Sequence, residues 1–86
     1  MYKYEFSYKR MKKIWVRASK GKIEICIEYN VITDKAKINW INDRTTGHDN
    51  FINSLGIEED NKLIQQSITF AKELKQYKDI KSKYNC

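Results

Sequence analysis

The 86-residue chain carries 17 Lys or Arg against 11 Asp or Glu, a net charge of +6, and is 41% hydrophobic with 13% aromatic residues. That apolar content disfavours disorder, and the length allows one domain over residues 1–86 without room for a second core. The N-terminus lacks the apolar stretch of a signal peptide and no apolar run nears the ~20 residues of a membrane span, so secretion and membrane insertion are not expected.

Tyr2, Tyr4, Phe6 and Tyr8 alternate with Lys3, Glu5, Ser7 and Lys9, the period-2 pattern of a strand with one aromatic, core-facing side. A second strand alternates Ile14, Val16 and Ala18 with Trp15, Arg17 and Ser19, and Lys20-Gly21 supplies a tight turn. Ile23, Ile25, Ile27, Tyr29 and Val31 form the longest alternation and predict a central strand backed by Glu24, Cys26, Glu28 and Asn30. After a turn at Asp34-Lys35, a fourth strand places Ala36, Ile38 and Trp40 on the core side.

The polar segment Asp43–Asn50 marks the change from strand to helix. Asp49 or Asn50 caps a short predicted helix through Phe51, Ile52 and Leu55 that stops at Gly56. A long helix is then expected from about Glu58 to about Tyr84, with acids in its first turn and lysines in its last. Ile64, Ser67, Ile68, Ala71 and Leu74, widened by Leu63 and Phe70, form its packing stripe, which thins after Leu74 so that the last turns project or fray. The expected fold is α+β: a four-stranded antiparallel meander followed by a short helix and a long C-terminal helix packed on one face, the second face of the sheet being left open.

Charge is segregated along the chain. Residues 1–22 hold eight cations against one acid, residues 23–61 three against eight, and residues 62–86 six against two. A basic head and tail around an acidic middle point to a positive surface that meets a polyanion or an acidic protein. Lys9, Arg10, Lys12 and Lys13, with Arg17, Lys20 and Lys22, form the densest candidate patch; on the last helix Lys75, Lys78 and Lys81, spaced by three, extend it. Trp15, on the face opposite Ile14 and Val16, is a candidate for stacking a base or anchoring a protein. The 14 Lys against three Arg match the codon usage of an AT-rich genome and favour point charges over bidentate base reading. Codon bias accounts for part of the lysine excess and leaves the clustering of the acids unexplained.

Catalytic chemistry is the least supported reading. His48 is the sole histidine, and its neighbours Asp43 and Asp49 share a loop in which adjacent residues seldom converge on one point. Cys26 sits between Glu24 and Glu28, with no cation to favour a thiolate, while those two glutamates suit cross-strand ion pairs. Two cysteines, one of them the terminal Cys86, fit a reduced, cytoplasmic protein better than a disulfide scaffold. No metal pattern, cofactor motif or small-molecule site is evident.

In size and composition the chain resembles the small phage and mobile-element proteins that inhibit host defences, anti-CRISPR proteins among them. The resulting expectation is a non-catalytic inhibitor or modulator of a nucleic-acid-handling complex. Direct, largely nonspecific binding of DNA or RNA is the alternative, and a self-assembling module, possible as a homodimer through the open face or the end of the long helix, is the third.

Overall fold

The strand-forming half of the chain builds a meander in which each strand pairs with the next, and the computed structural model describes residues 1–84. The strands β1 (Lys3–Arg10), β2 (Lys13–Lys20), β3 (Ile23–Asn30), β4 (Lys35–Asp43) and β5 (Phe51–Ile52) form one antiparallel sheet in the order β1-β2-β3-β4-β5. Two helices, α1 (Ile57–Lys72) and α2 (Lys75–Tyr84), follow and cover one face. The architecture is α+β, with four long strands and then helices. Among the described residues no helix is long and apolar enough to cross a membrane. Cys86 lies outside the described residues.

The covered face is aliphatic. Ile14, Val16, Ala18, Ile25, Ile27, Tyr29 and Ile41 are buried there under Leu63, Ser67 and Ala71 of α1, which recur every four residues and so share one stripe. Small side chains at Ser67 and Ala71 suit a close approach of the helix to the sheet. Each fully buried Ile or Leu contributes roughly 1.5–3 kcal/mol relative to exposure, which makes this stripe the main source of stability.

Two bulges correct strict alternation. In β1, Phe6 pairs with Val16 but Tyr8 pairs with Trp15, so Ser7 is an extra residue. In β4, Ile38 pairs with Ile27 but Trp40 pairs with Cys26, so Asn39 is extra. One inserted residue shifts the two-residue phase, and side chains beyond it change face. Tyr8 and Trp40, both expected in the core, therefore lie on the uncovered side. Ile41 takes a place in the core instead, 1% exposed.

The short helix expected after Asn50 does not form. Phe51 and Ile52 pair with Asn42 and Ile41 as β5, and the five residues between Asn50 and Gly56 are too few to repay helix nucleation. Asp49 and Asn50 hold the β4–β5 loop rather than capping: Asn42 Nδ2 donates to Asp49 Oδ1 at 3.2 Å, and the Asn50 amide donates to Asn42 Oδ1 at 3.0 Å. Gly56 begins α1 rather than ending a helix, in a conformation (φ 106°) that a side chain would strain. With no side-chain cap at Gly56, Asp60 reaches back to accept from the Leu55 amide at 3.0 Å and from the Ser54 hydroxyl.

The expected long helix is broken at Glu73-Leu74, where i to i−3 bonds tighten the chain: Glu73 N to Phe70 O at 3.2 Å and Leu74 N to Ala71 O at 3.1 Å. The break resets the helical phase. Ile80, 2% exposed, then joins Ile14 and Val31 in the core, and Tyr77 stacks on Tyr29 with ring centroids 6.4 Å apart. The last turns thus pack against the end of the sheet instead of projecting.

Candidate functional site

The uncovered face of the sheet collects residues from every strand. Tyr8 and Trp15 lie across β1 and β2 with ring centroids 5.4 Å apart, and Trp40 and Phe51 meet edge-on across β4 and β5 at 6.0 Å. Arg17, two residues beyond Trp15 on β2, adjoins the second pair, its guanidinium 5.7 Å from the Trp40 ring centroid. A groove of about 380 Å³ is lined by Ser7, Tyr8, Arg10, Trp15, Cys26, Asn39 and Trp40. A second, of about 400 Å³, shares Arg10 and Trp15 and continues to Met11, Lys12, Lys13 and Asn30 at the β1–β2 turn. Both bulge residues, Ser7 and Asn39, line the first groove, so the irregularities that turn Tyr8 and Trp40 outward also shape it.

This face gathers both tryptophans and, with Arg44 at its margin, all three arginines of a lysine-rich chain. Tyr8 is 54% and Phe51 63% exposed, Arg17 is exposed, and the two tryptophans are half-buried. Its acids are occupied. Glu28 on β3 lies between Lys13 of β2 at 3.1 Å and Lys37 of β4 at 4.0 Å. Burial pushes its carboxyl upward, yet the two ammonium groups outweigh that and hold it below the usual range. Arg44 reaches Glu24 at 3.6 Å and Asp49 at 3.3 Å.

The predicted basic patch is divided. Lys9, Arg10, Lys12 and Lys13 surround the β1–β2 turn, whereas Lys20 and Lys22 flank the β2–β3 turn at the opposite end of the sheet. Lys13 and Lys20 are seven residues apart on one strand, about 23 Å at ~3.3 Å per residue, too far for one continuous patch. Trp15 and Arg17 belong to the open face between them. Helix α2 brings the tail cations to the first end: Lys12 Nζ and Lys83 Nζ lie 5.6 and 5.5 Å from the Tyr84 ring centroid. Lys75 and Lys78 are exposed on α2, and Lys81 is half-buried with its charge felt at Asp34. Among the described residues no carboxylate lies within 4.0 Å of Lys9, Arg10, Lys12, Lys75, Lys78, Lys81 or Lys83.

Strict alternation placed Tyr8 and Trp40 in the core, and the expected short helix took up Phe51, so none of the three was assigned to this face. For Trp40 a signal was present: Ile38 and Ile41 are three apart and both aliphatic, which strict alternation cannot place on one side. No comparable signal marks Ser7.

His48 is exposed in the β4–β5 loop. Cys26 is buried on the open side of β3; burial pushes its thiol up, against the opposing pull of Arg17 and Asn39, which keeps it protonated at neutral pH. Among the described residues no three His, Cys, Asp or Glu side chains gather as a metal site. Comparison with protein families, with characterised proteins and with solved structures found no match.

Proposed function

We propose that this is a non-catalytic binding protein that docks through its open sheet face on a protein of a nucleic-acid-handling complex and inhibits or modulates that complex. The observation that carries the reading is the convergence of Tyr8, Trp15, Arg17, Trp40 and Phe51 on one uncovered surface. Trp, Tyr and Arg are the side chains that dominate interface hot spots, because they combine large apolar area with directed polar groups. The exposed guanidinium groups of Arg10 and Arg17 fit a partner surface that presents carboxylates beside apolar groups. A basic end adjoining the face supports a partner that works close to nucleic acid. The small size and AT-biased composition support the kind of inhibitor that phages and mobile elements carry against host defences.

The test is functional. The chain is used to capture its complex from the native host, and the nucleic-acid cleavage or binding activity of that complex is measured as purified protein is added. The reading expects activity to fall with wild-type protein and to be at least tenfold less sensitive to a Trp15→Ala/Trp40→Ala variant that retains its fold by circular dichroism. Equal capture and equal effect of both proteins would remove the open face from the function.

A further inference from the structure

From the end of the molecule rather than its face, we infer that the β1–β2 turn and α2 together form a second surface that holds the phosphate backbone of double-stranded nucleic acid without reading its sequence. The turn supplies Lys9, Arg10 and Lys12, and α2 supplies Lys83, with Lys78 exposed on the same helix. Lys9, Lys12 and Lys83 come from distant parts of the chain and are brought together by specific contacts. Lys12 and Lys83 sit over the same Tyr84 ring, at 5.6 and 5.5 Å, while Lys9 and Lys83 line one cleft of about 140 Å³ with Met11, Asp79, Ile80 and Tyr84.

Cations gathered at one end of the molecule raise the positive potential there. The acids available here are few: Asp34 is engaged by Tyr29 and by Lys72 at 3.4 Å, leaving Asp79 and Glu73 among many lysines. The excess positive charge is therefore open to a polyanion, whose condensed counterions are released as its phosphates are neutralised.

The choice of a duplex backbone rests on the rings and the cation type. Proteins that hold single strands stack bases on free aromatic faces. At this end Tyr84 is covered by two ammonium groups and Tyr77 is stacked on Tyr29; Trp15, which lines a groove with Arg10, Lys12 and Lys13, is half-buried against Tyr8, so no ring here offers a fully free stacking face. Lysine dominates, and it contacts phosphate as a point charge where arginine reads base edges with a fork. Of these cations only Arg10 also lines the groove beside Trp40, so substitutions at Lys12 and Lys83 and a substitution at Trp40 test the two surfaces separately.

The experiment compares two charge reversals of equal size on the full chain, Lys12→Glu/Lys83→Glu at this end and Lys20→Glu/Lys22→Glu at the other. Binding to a labelled 30-base-pair DNA of arbitrary sequence and to the corresponding single strand is measured at several salt concentrations. The inference expects salt-sensitive duplex binding tighter than single-strand binding. It expects Lys12→Glu/Lys83→Glu to weaken duplex binding at least tenfold and to reduce the log–log salt slope by about two, since each phosphate contact contributes ~0.9. The variant at the far end changes affinity less than threefold, and Trp40→Ala leaves it unchanged. Equal losses from both reversals would reduce the effect to net charge and overturn the site. Tighter single-strand binding, or no duplex binding at 50 mM salt, would overturn the assignment to duplex; the second of these leaves an acidic protein as the partner of this end.

Discussion

Ser67 occupies a place where an aliphatic residue is the norm. Its hydroxyl is fully buried between α1 and the sheet, and among the described groups it has no hydrogen-bond partner. An unpaired buried hydroxyl costs roughly 1–3 kcal/mol, so Ser67→Ala, which removes the oxygen and leaves little space, is expected to stabilise the protein by about 1 kcal/mol. For a domain of this size that raises Tm by about 4–8 °C. A lowered Tm in thermal unfolding followed by circular dichroism would show that the hydroxyl is satisfied in solution. Asp34 makes a different contribution. It lies in the β3–β4 turn with positive φ (58°), accepts a hydrogen bond from the Tyr29 hydroxyl and pairs with Lys72. The Tyr29 hydrogen bond, then Lys72, holds its carboxyl below the ordinary value, while burial and Asp34 push the Tyr29 phenol up. The unfolded chain therefore binds more protons than the folded one as Asp34 and Glu28 titrate, and the stability they contribute is present above ~pH 4.5 and lost as pH falls through ~4 toward their folded values. Urea midpoints measured from pH 7 to pH 3 should fall below about pH 4, and Asp34→Asn should flatten part of that fall. Because Asp34 is exposed, added salt should weaken its share.

At the level of elements, the bulge at Asn39 decides which aromatic belongs to the core. Trp40 is half-buried on the open face, and Ile41 is sealed beneath α1 with Ile25 and Leu63. Ile41→Ala is expected to cost about 3 kcal/mol, in the range for a core aliphatic truncation, and Trp40→Ala less, because the space it leaves opens to water rather than forming a sealed cavity. Chemical denaturation of the two variants gives the order directly, and a larger loss at Trp40 would restore uninterrupted alternation. The strands themselves were legible because Ile14, Val16, Ala18 and the Ile23–Val31 run repeat with period two, and α1 because Ile64, Ser67, Ile68, Ala71 and Leu74 mark one face; the deepest burial is shifted to Leu63, Ser67 and Ala71, with Leu63 at its centre rather than its edge. Bulges were not, since an inserted Ser7 is set by how β1 fits β2, a pairing that no local pattern records. The break at Glu73-Leu74 was also hidden. Both sides of it favour helix, and what separates them is the gain from turning Tyr77 and Ile80 back onto Tyr29, Val31 and Ile14.

Across the whole molecule the three charge blocks of the sequence become two ends and a face. The basic head and tail meet where α2 packs beside the β1–β2 turn, but Lys20 and Lys22 are carried to the far end by the length of β2. Of the acids of the middle block, Glu24, Glu28 and Asp49 pair with cations at the open face, Asp34 and Asp43 stand at the two ends of β4, and Glu58, Glu59 and Asp60 lie in the first turn of α1. Trp15 was legible as a candidate from its place opposite Ile14 and Val16; its partners Tyr8 and Trp40 were not, because both reach the face only through bulges. The docking claim has a direct reporter, since both tryptophans of the chain lie on the proposed surface. Protein labelled with 5-fluorotryptophan should give two ¹⁹F resonances, and addition of the captured host complex should shift or broaden both. If the complex forms, shown by co-sedimentation, while both resonances stay unmoved, the open face is not the docking surface.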